Sequence, residues 1–136
     1  MGREPVIRVG DLEKLEYIPA MPLGPDNEPA WTPRADVFLN SIGEFTIKVE
    51  LAALSREDVE VSCEGRRLCI AGRRPDADRE DTDCKYMEAA ISWGRFELAV
   101  EVPADFDLSM ASAKYQNGLL RIIVPPKRWR RCAPKD

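Results

Sequence analysis

Residues 113–125, with the sequence AKYQNGLLRIIVP, decide the fold because an Asn-Gly pair stands between two apolar-patterned runs. Asn-Gly is the strongest short-range signal for a two-residue hairpin turn, since both residues adopt positive φ readily. A turn at Asn117-Gly118 predicts three facing pairs on one side of the hairpin: Tyr115 with Leu120, Ala113 with Ile122, and Ala111 with Val124. That side is continuously apolar, so the stretch predicts a β protein.

Alternation of apolar and polar residues recurs upstream of this hairpin, in segments that turn residues separate. Such alternation is typical of a strand with one buried face, and several short strands of this kind favour a sandwich. Residues 59–63, a turn over 64–66 and residues 68–70 predict a second hairpin. The predicted inward positions are Phe45, Ile47, Val49, Leu51, Val59, Val61, Cys63, Leu68, Ile70, Phe96, Leu98, Val100 and Val102.

The length of 136 residues and the 44% share of hydrophobic residues suit one folded domain with short tails. Five prolines within the first 32 residues predict an irregular N-terminal arm over 1–32, with one short helix over residues 11–17. The folded domain is predicted over 33–126. A basic C-terminal tail follows over 127–136.

Composition argues against several classes of function. The chain has no histidine, so the usual general base and the commonest metal ligand are missing, and we expect no enzyme, no metal and no cofactor. No glycine-rich phosphate-binding motif is present, and the net charge of −4 argues against a general nucleic-acid binder. No apolar run reaches the roughly 20 residues of a membrane span, and no secretory signal is evident, so we expect a cytoplasmic protein.

Several stretches together resemble the alpha-crystallin domain of small heat shock proteins over residues 33–126. They are Trp31-Thr32-Pro33 leading into Ala35-Asp36-Val37, the strand Leu68-Cys69-Ile70-Ala71-Gly72-Arg73-Arg74, Gly94-Arg95-Phe96, Val102-Pro103, and the Asn117-Gly118 hairpin. The resemblance implies an immunoglobulin-like antiparallel β-sandwich. It also implies an ATP-independent holdase chaperone that binds unfolding client proteins and prevents their aggregation.

The resemblance further implies a homodimer that assembles into larger oligomers. In the bacterial and plant branch of the family, a strand in a long loop crosses to the partner subunit. The matching residues here are Cys84, Lys85, Tyr86 and Met87, which follow a polar, acidic loop. The family's client groove maps onto Leu68 and Ile70 on one side and Leu98 and Val100 on the other, although each of these side chains also suits plain core packing.

The sequence departs from the family pattern in two places: the docking motif near the chain ends, and the turn at residues 51–54. The C-terminal tail lacks the I-x-I or I-x-V docking motif, whereas Ile7 and Val9 in the N-terminal arm offer the same spacing. We therefore predict docking through Ile7 and Val9. The second departure is Leu51-Ala52-Ala53-Leu54, where the family often has a Leu-Pro-Gly turn.

Four cysteines invite a redox interpretation. The hairpin register sets Cys63 and Cys69 on opposite faces, which argues against a disulfide between them, and the spacing fits no paired C-x-x-C zinc pattern. Cys84 and Cys132 are candidates for intermolecular bridges under oxidation. The tail residues Lys127, Arg128, Arg130 and Arg131 around Trp129 suit either a solubilising tail or contact with an anionic membrane surface or nucleic acid.

Two further functions stay open at this stage. A noncatalytic sandwich that binds one defined protein partner is the main alternative to a chaperone. A thiol-dependent redox protein is a third possibility, which the lack of histidine and of a C-x-x-C motif disfavours.

Overall fold

The computed structural model describes residues 5–8, 16–19 and 30–127. In those ranges the chain contains three short 3-10 turns but no α-helix. The strands are β1 (Pro5–Arg8), β2 (Glu16–Pro19), β3 (Ala35–Leu39), β4 (Phe45–Glu50), β5 (Val59–Glu64), β6 (Arg67–Arg74), β7 (Gly94–Glu101), β8 (Ser112–Gln116) and β9 (Leu119–Val124).

These strands form two antiparallel sheets. The five-stranded sheet has the order β2-β1-β5-β6-β7, and the four-stranded sheet has the order β3-β4-β9-β8. The inward side chains of the two sheets pack into one apolar core between them. The prediction of an all-β sandwich is confirmed.

The Asn-Gly hairpin joins β8 to β9 in the predicted register. Tyr115 lies opposite Leu120 and Ala113 opposite Ile122. Asn117 has φ of 56° and Gly118 has φ of 79°, the pair of positive angles that this turn requires. Ala111 is buried as predicted, but it precedes the first residue of β8.

The second hairpin, β5–β6, also has the predicted register. Cys63 lies opposite Leu68 and Ser62 opposite Cys69, so the two thiols are on opposite faces of the sheet. Gly72, near the end of β6, lies where a Cβ atom would be 1.9 Å from the backbone oxygen of Asp58. Any side chain at this position would push the strand away from the turn before β5.

The core consists of the inward residues of both sheets and of the loops that join them. Every predicted inward position except Leu98 and Val100 is buried, and those two are half-buried against the core. The buried apolar residues are Phe45, Ile47, Val49, Leu51, Val59, Val61, Cys63, Leu68, Ile70, Phe96, Val102, Ala111, Ala113, Leu120, Ile122 and Val124.

The N-terminal arm differs from the sequence prediction. It contributes β1 and β2, and β1 pairs with β5 through the register Ile7 opposite Val61. The helix predicted over 11–17 is wrong at Glu16 and Tyr17, which belong to β2; residues 11–15 lie outside the described ranges. Local pattern missed these strands because the edge that pairs with β1 lies some fifty residues further along the chain.

Candidate partner-binding surface

The edge of the four-stranded sheet at β3 is the first element of the candidate surface. β3 is the terminal strand and pairs with β4 on one side, from Ala35 opposite Val49 to Leu39 opposite Phe45. No strand of the described residues pairs with its other side. Backbone N–H and C=O groups on such an edge can bind a strand from another chain.

The side chains of β3 are the second element. Residues directly opposite each other in an antiparallel pair share a face, so Val37 points to the same side as Ile47, and Leu39 to the same side as Phe45. Ile47 is fully buried, whereas Leu39 is 60% exposed and Val37 is about half exposed. The core-side face of β3 is therefore apolar and uncovered.

The loop between β6 and β7 supplies a second set of exposed apolar side chains. Met87 is 98% exposed, and Tyr86 and Ile91 are also exposed. Residues 84–87 lie outside any strand of this single chain, so the short strand predicted there does not form within the chain itself. The segment pairs with no strand of the described residues, and residues 81–92 around it are exposed as well.

A small polar cluster holds Tyr86 against the start of its own loop. The Tyr86 hydroxyl donates to Asp76 at 3.4 Å, the Arg79 guanidinium lies 4.9 Å from the Tyr86 ring centroid, and Arg79 is paired with Asp76 at 3.2 Å. Desolvation of the phenol, followed by the charge of Asp76, raises the pKa of Tyr86 above its ordinary value. These exposed contacts are weak, so little free energy opposes their replacement by a partner's contacts.

The base of the same loop is held more firmly, by Arg74 at the end of β6. Its guanidinium donates two hydrogen bonds to the Ser92 carbonyl, at 3.0 and 2.6 Å, and one to the Ala52 carbonyl at 3.2 Å. It also stacks on two indoles, 4.5 Å from the ring centroid of Trp31 and 5.2 Å from that of Trp93. The clamp joins the two ends of the loop, so the loop projects from a fixed base.

The four groove residues lie side by side on β6 and β7. Leu68 is opposite Val100, and Ile70 is opposite Leu98. Leu68 and Ile70 are fully buried on an interior strand, so they do not form one wall of an open groove between two edge strands. Leu98 and Val100 belong to β7, the terminal strand of the five-stranded sheet, and are partly accessible.

Of the two predicted docking residues, Ile7 lies in β1, where its backbone pairs with β5 of the same chain. Val9 lies outside the described residues, as do Cys132 and residues 128–136 of the basic tail. The roles predicted for Ile7, Val9, Cys132 and the basic tail therefore stay predictions. The same holds for the predicted division of the chain at residues 33 and 126.

Within the described residues, the cysteines and carboxylates form neither a disulfide nor a metal site. Cys63 is buried, Cys69 is half-buried and Cys84 is exposed, and these three form no disulfide with one another. Within the described residues, no group of three or more Cys, Asp or Glu side chains is arranged to hold a metal ion. Nor is any described helix long and apolar enough to cross a membrane.

Sequence reasoning missed Val37 and Leu39 as surface residues. Ala35, Val37 and Leu39 do alternate with Asp36, but Phe38 interrupts the pattern, and the run is short. This partial alternation is the only sequence signal for β3. The exposure of Val37 and Leu39 depends on where the opposite sheet ends, and no local sequence pattern encodes that.

The fold and this surface define a class: an antiparallel β-sandwich with an uncovered strand edge suited to binding other polypeptide chains. The model of the Hsp20/alpha crystallin family matches residues 38–135, which is more than half of the chain. The chain belongs to this family of small heat shock proteins. Members of this family are non-enzymatic chaperones, and membership supports a chaperone role in general.

Individual relatives agree with this assignment. The chain is 24% identical over 106 residues to small heat shock protein C2 of Rickettsia felis, a match that covers 78% of this chain and 68% of that protein. It is 33% identical over 95 residues to a heat shock protein of Dictyostelium discoideum, with 70% of this chain and 22% of that protein covered. The chain therefore spans only a minor part of this second relative.

A solved structure supports the fold. The small heat-shock protein from Xylella fastidiosa superposes with a TM-score of 0.68 at 22% identity, covering 79% of this chain and 95% of that one. At this identity the likeness concerns the fold, and the sandwich described above is the alpha-crystallin domain fold.

Proposed function

We propose that this protein is a cytoplasmic, ATP-independent holdase, which binds partly unfolded client proteins and prevents their aggregation. Membership of a family of chaperones supports the proposal. The observation that carries it is the terminal strand β7, where the apolar side chains of Leu98 and Val100 are partly accessible. Unfolding proteins expose apolar segments and unpaired strands, which are the groups that such a surface binds.

The protein forms a homodimer by strand exchange in this proposal. Residues 84–87 of one subunit add to the outer edge of β3 in the partner, where backbone groups are open to pairing. Tyr86 and Met87 then cover Val37 and Leu39. Complete burial of one such side chain contributes roughly 1.5–3 kcal/mol, so these half-exposed side chains contribute less each, and the backbone pairing supplies the rest.

Client proteins bind the groove side chains that remain accessible to solvent. Leu98 and Val100 are on a terminal strand and partly exposed, so they are the groove residues that we expect to touch a client. Leu68 and Ile70 lie behind them, opposite in register and fully buried, where they hold β7 in place.

The N-terminal arm is the docking element of larger oligomers. In the single chain the backbone of β1 pairs with β5, and the same pairing with β5 of a neighbouring subunit would link dimers through Ile7 and Val9. The substitution Ile7→Ala/Val9→Ala is expected to reduce oligomer mass by light scattering while the dimer remains. Unchanged oligomer mass and unchanged client protection would overturn this part of the proposal.

The test of holdase activity is the light scattering of two unrelated clients, one unfolded by heat and one by reduction, without nucleotide. Suppression of both at near-stoichiometric ratios is the expected result. Suppression of neither, by folded protein at several temperatures, would contradict it and favour the alternative of a noncatalytic adaptor for one defined partner. Replacing the cysteines with serine is the control, because a holdase keeps its activity and a thiol-dependent protein does not.

The test of strand exchange is deletion of residues 78–90 followed by mass measurement. The loop is rooted at Arg74 and Ser92, outside the deleted residues, so the sandwich is expected to fold. A monomer is the expected product. A dimer of unchanged stability would rule out exchange through this loop.

A further inference from the structure

Three cations lie in one row on the outer face of the four-stranded sheet. Lys48 on β4 is directly opposite Arg121 on β9, and Lys114 on β8 is opposite Arg121 on its other side. Their neighbours along the strands, such as Ile47 and Ile122, point into the core, so the row points outward. We call Lys48, Arg121 and Lys114 the basic row.

Like charges directly opposite each other across a sheet are unfavourable, and this row contains two such pairs. Asp36 on β3 is opposite Lys48 and offsets the charge at that end. The Lys48 ammonium also leans towards β3, 5.8 Å from the Phe38 ring centroid. Arg121 and Lys114 are both exposed, and Glu50, on the same face of β4, lies diagonally across from Arg121.

The same chain carries a segment of opposite charge. Residues 76–83, here the acidic segment, contain five carboxylates and one arginine. Asp76 is engaged with Arg79 and Tyr86, but the other four carboxylate residues are exposed: Asp78, Glu80, Asp81 and Asp83.

The two charged regions are attached to different sheets of the sandwich, although Arg74 also ties the base of the acidic loop to Ala52, just after β4. The acidic segment follows β6 of the five-stranded sheet, and the Arg74 clamp holds the base of its loop there. The basic row faces outward from the other sheet. Arg121, Lys114 and most of the acidic segment are exposed, so the segment of a neighbouring copy can reach the row.

We propose that the basic row binds the acidic segment of a second copy of this chain. The dimensions agree, because the row crosses two strand spacings, about 10 Å in all, and residues 77–83, with a 3-10 turn over Ala77–Glu80, span that distance at about 2 Å or more per residue. The contact does not require holdase activity; it uses the same loop as the proposed strand exchange, and charge reversal separates the two because it leaves residues 84–87 unchanged. Exposed ion pairs are individually weak, so it acts through repetition in an oligomer and is sensitive to salt.

The test uses two charge-reversed chains and their mixture. Lys114→Glu/Arg121→Glu makes the row acidic, and Glu80→Lys/Asp81→Lys/Asp83→Lys makes the segment basic. Each variant alone has row and segment of like charge and is expected to associate about tenfold more weakly than the unaltered chain at low salt. When the two are mixed, each chain's row faces the other's segment with opposite charge, and association returns.

The control is Arg56→Glu/Arg67→Glu, which changes the net charge equally but leaves the row intact. Thermal unfolding shows whether each variant is folded, and Lys114→Gln/Arg121→Gln replaces the reversed row if that variant does not fold. Mass is measured by light scattering from low to 1 M salt, and the difference between the unaltered chain and the row variant is expected to vanish at high salt.

Two results would overturn the proposal. One is failure of the charge reversal: the Lys114→Glu/Arg121→Glu chain keeps the mass and salt dependence of the unaltered chain, or the mixture of the two reversed chains fails to recover association. The other is unchanged self-association combined with lost binding to phosphatidylserine vesicles or single-stranded RNA, which would assign the row to an anionic lipid or nucleic acid.

Discussion

β3 and β4 lie side by side in one sheet, with five directly opposite pairs, yet their apolar residues have opposite environments. Ile47 on β4 has no exposed surface, whereas Val37, directly opposite on β3, is about half exposed. The difference arises because the five-stranded sheet covers one strand and leaves the other uncovered. Position within the sandwich, and not hydrophobicity, separates a strand that stabilises the subunit from one that is available to a partner.

The largest expected effect is on β4. Ile47→Ala creates a cavity in a fully buried site and is expected to lower the free energy of unfolding by about 2–5 kcal/mol. Val37→Ala is the matched substitution on β3 and is expected to cost less than about 0.5 kcal/mol in the dissociated subunit. Urea denaturation at low protein concentration measures both, and equal costs would contradict the comparison.

The β6–β7 loop shows a similar contrast between a fixed part and an exposed part. Arg74 holds the base of the loop, whereas the middle of the loop is exposed. Arg74→Ala removes hydrogen bonds to Ser92 and Ala52 and two ring contacts, and is expected to cost about 2 kcal/mol. Arg74→Lys keeps the charge but not the planar fork, so it restores only part of this loss. Thermal unfolding and tryptophan fluorescence monitor the clamp; full rescue by lysine would show that charge alone matters.

The exposed face of β3 is expected to matter for association rather than for folding. Val37→Lys/Leu39→Lys sets charges on the uncovered face and is expected to weaken the dimer at least tenfold, which is about 1.4 kcal/mol. The subunit's own unfolding should change little. Met110→Lys, at a similarly exposed apolar residue away from β3, is the control for general loss of apolar surface; an equal effect of the control would remove β3 from the interface.

The smallest effect concerns the bend that follows β4. Ala53 has φ of 65°, a left-handed conformation that is unfavourable for a residue with a Cβ atom, at a position where related proteins often have a Leu-Pro-Gly turn. Ala53→Gly is expected to raise the free energy of unfolding by about 1 kcal/mol. The neighbouring Ala52→Gly should lower it, because glycine there only loosens the unfolded chain. Chemical denaturation of both variants checks the sign.

Sequence patterns predicted the elements whose partners are close along the chain. The β8–β9 and β5–β6 hairpins have the predicted registers because each turn fixes the alignment of its own two strands. β4 and β7 followed from alternation. Part of β3, Ala35-Asp36-Val37, carries the family resemblance. Alternation does not predict β3 as a strand, because its run is short and Phe38 interrupts the pattern.

The elements that pair over long distances were not predictable in this way. β1 pairs with β5, whose residues lie more than fifty positions away, and the prolines of β1 and β2 stand at strand ends, where a missing N–H is tolerated. Residues 84–87 have strand-like composition but no pairing edge within their own chain. A strand exists only where backbone groups find partners, so composition alone missed β1 and β2, and the strand at residues 84–87 stays a prediction that needs a partner chain.

The sequence by itself determined the all-β class, the two hairpin registers and most of the core, because a period of two and turn residues act over a few positions. The resemblance in its motifs also identified the family. The tertiary structure was needed to show that Leu98 and Val100 are partly accessible, that Val37 and Leu39 are uncovered, and that Lys48, Arg121 and Lys114 stand in one row. The physical reason is that exposure and cross-strand neighbours depend on how sheets end and overlap, which is settled by contacts between residues distant along the chain.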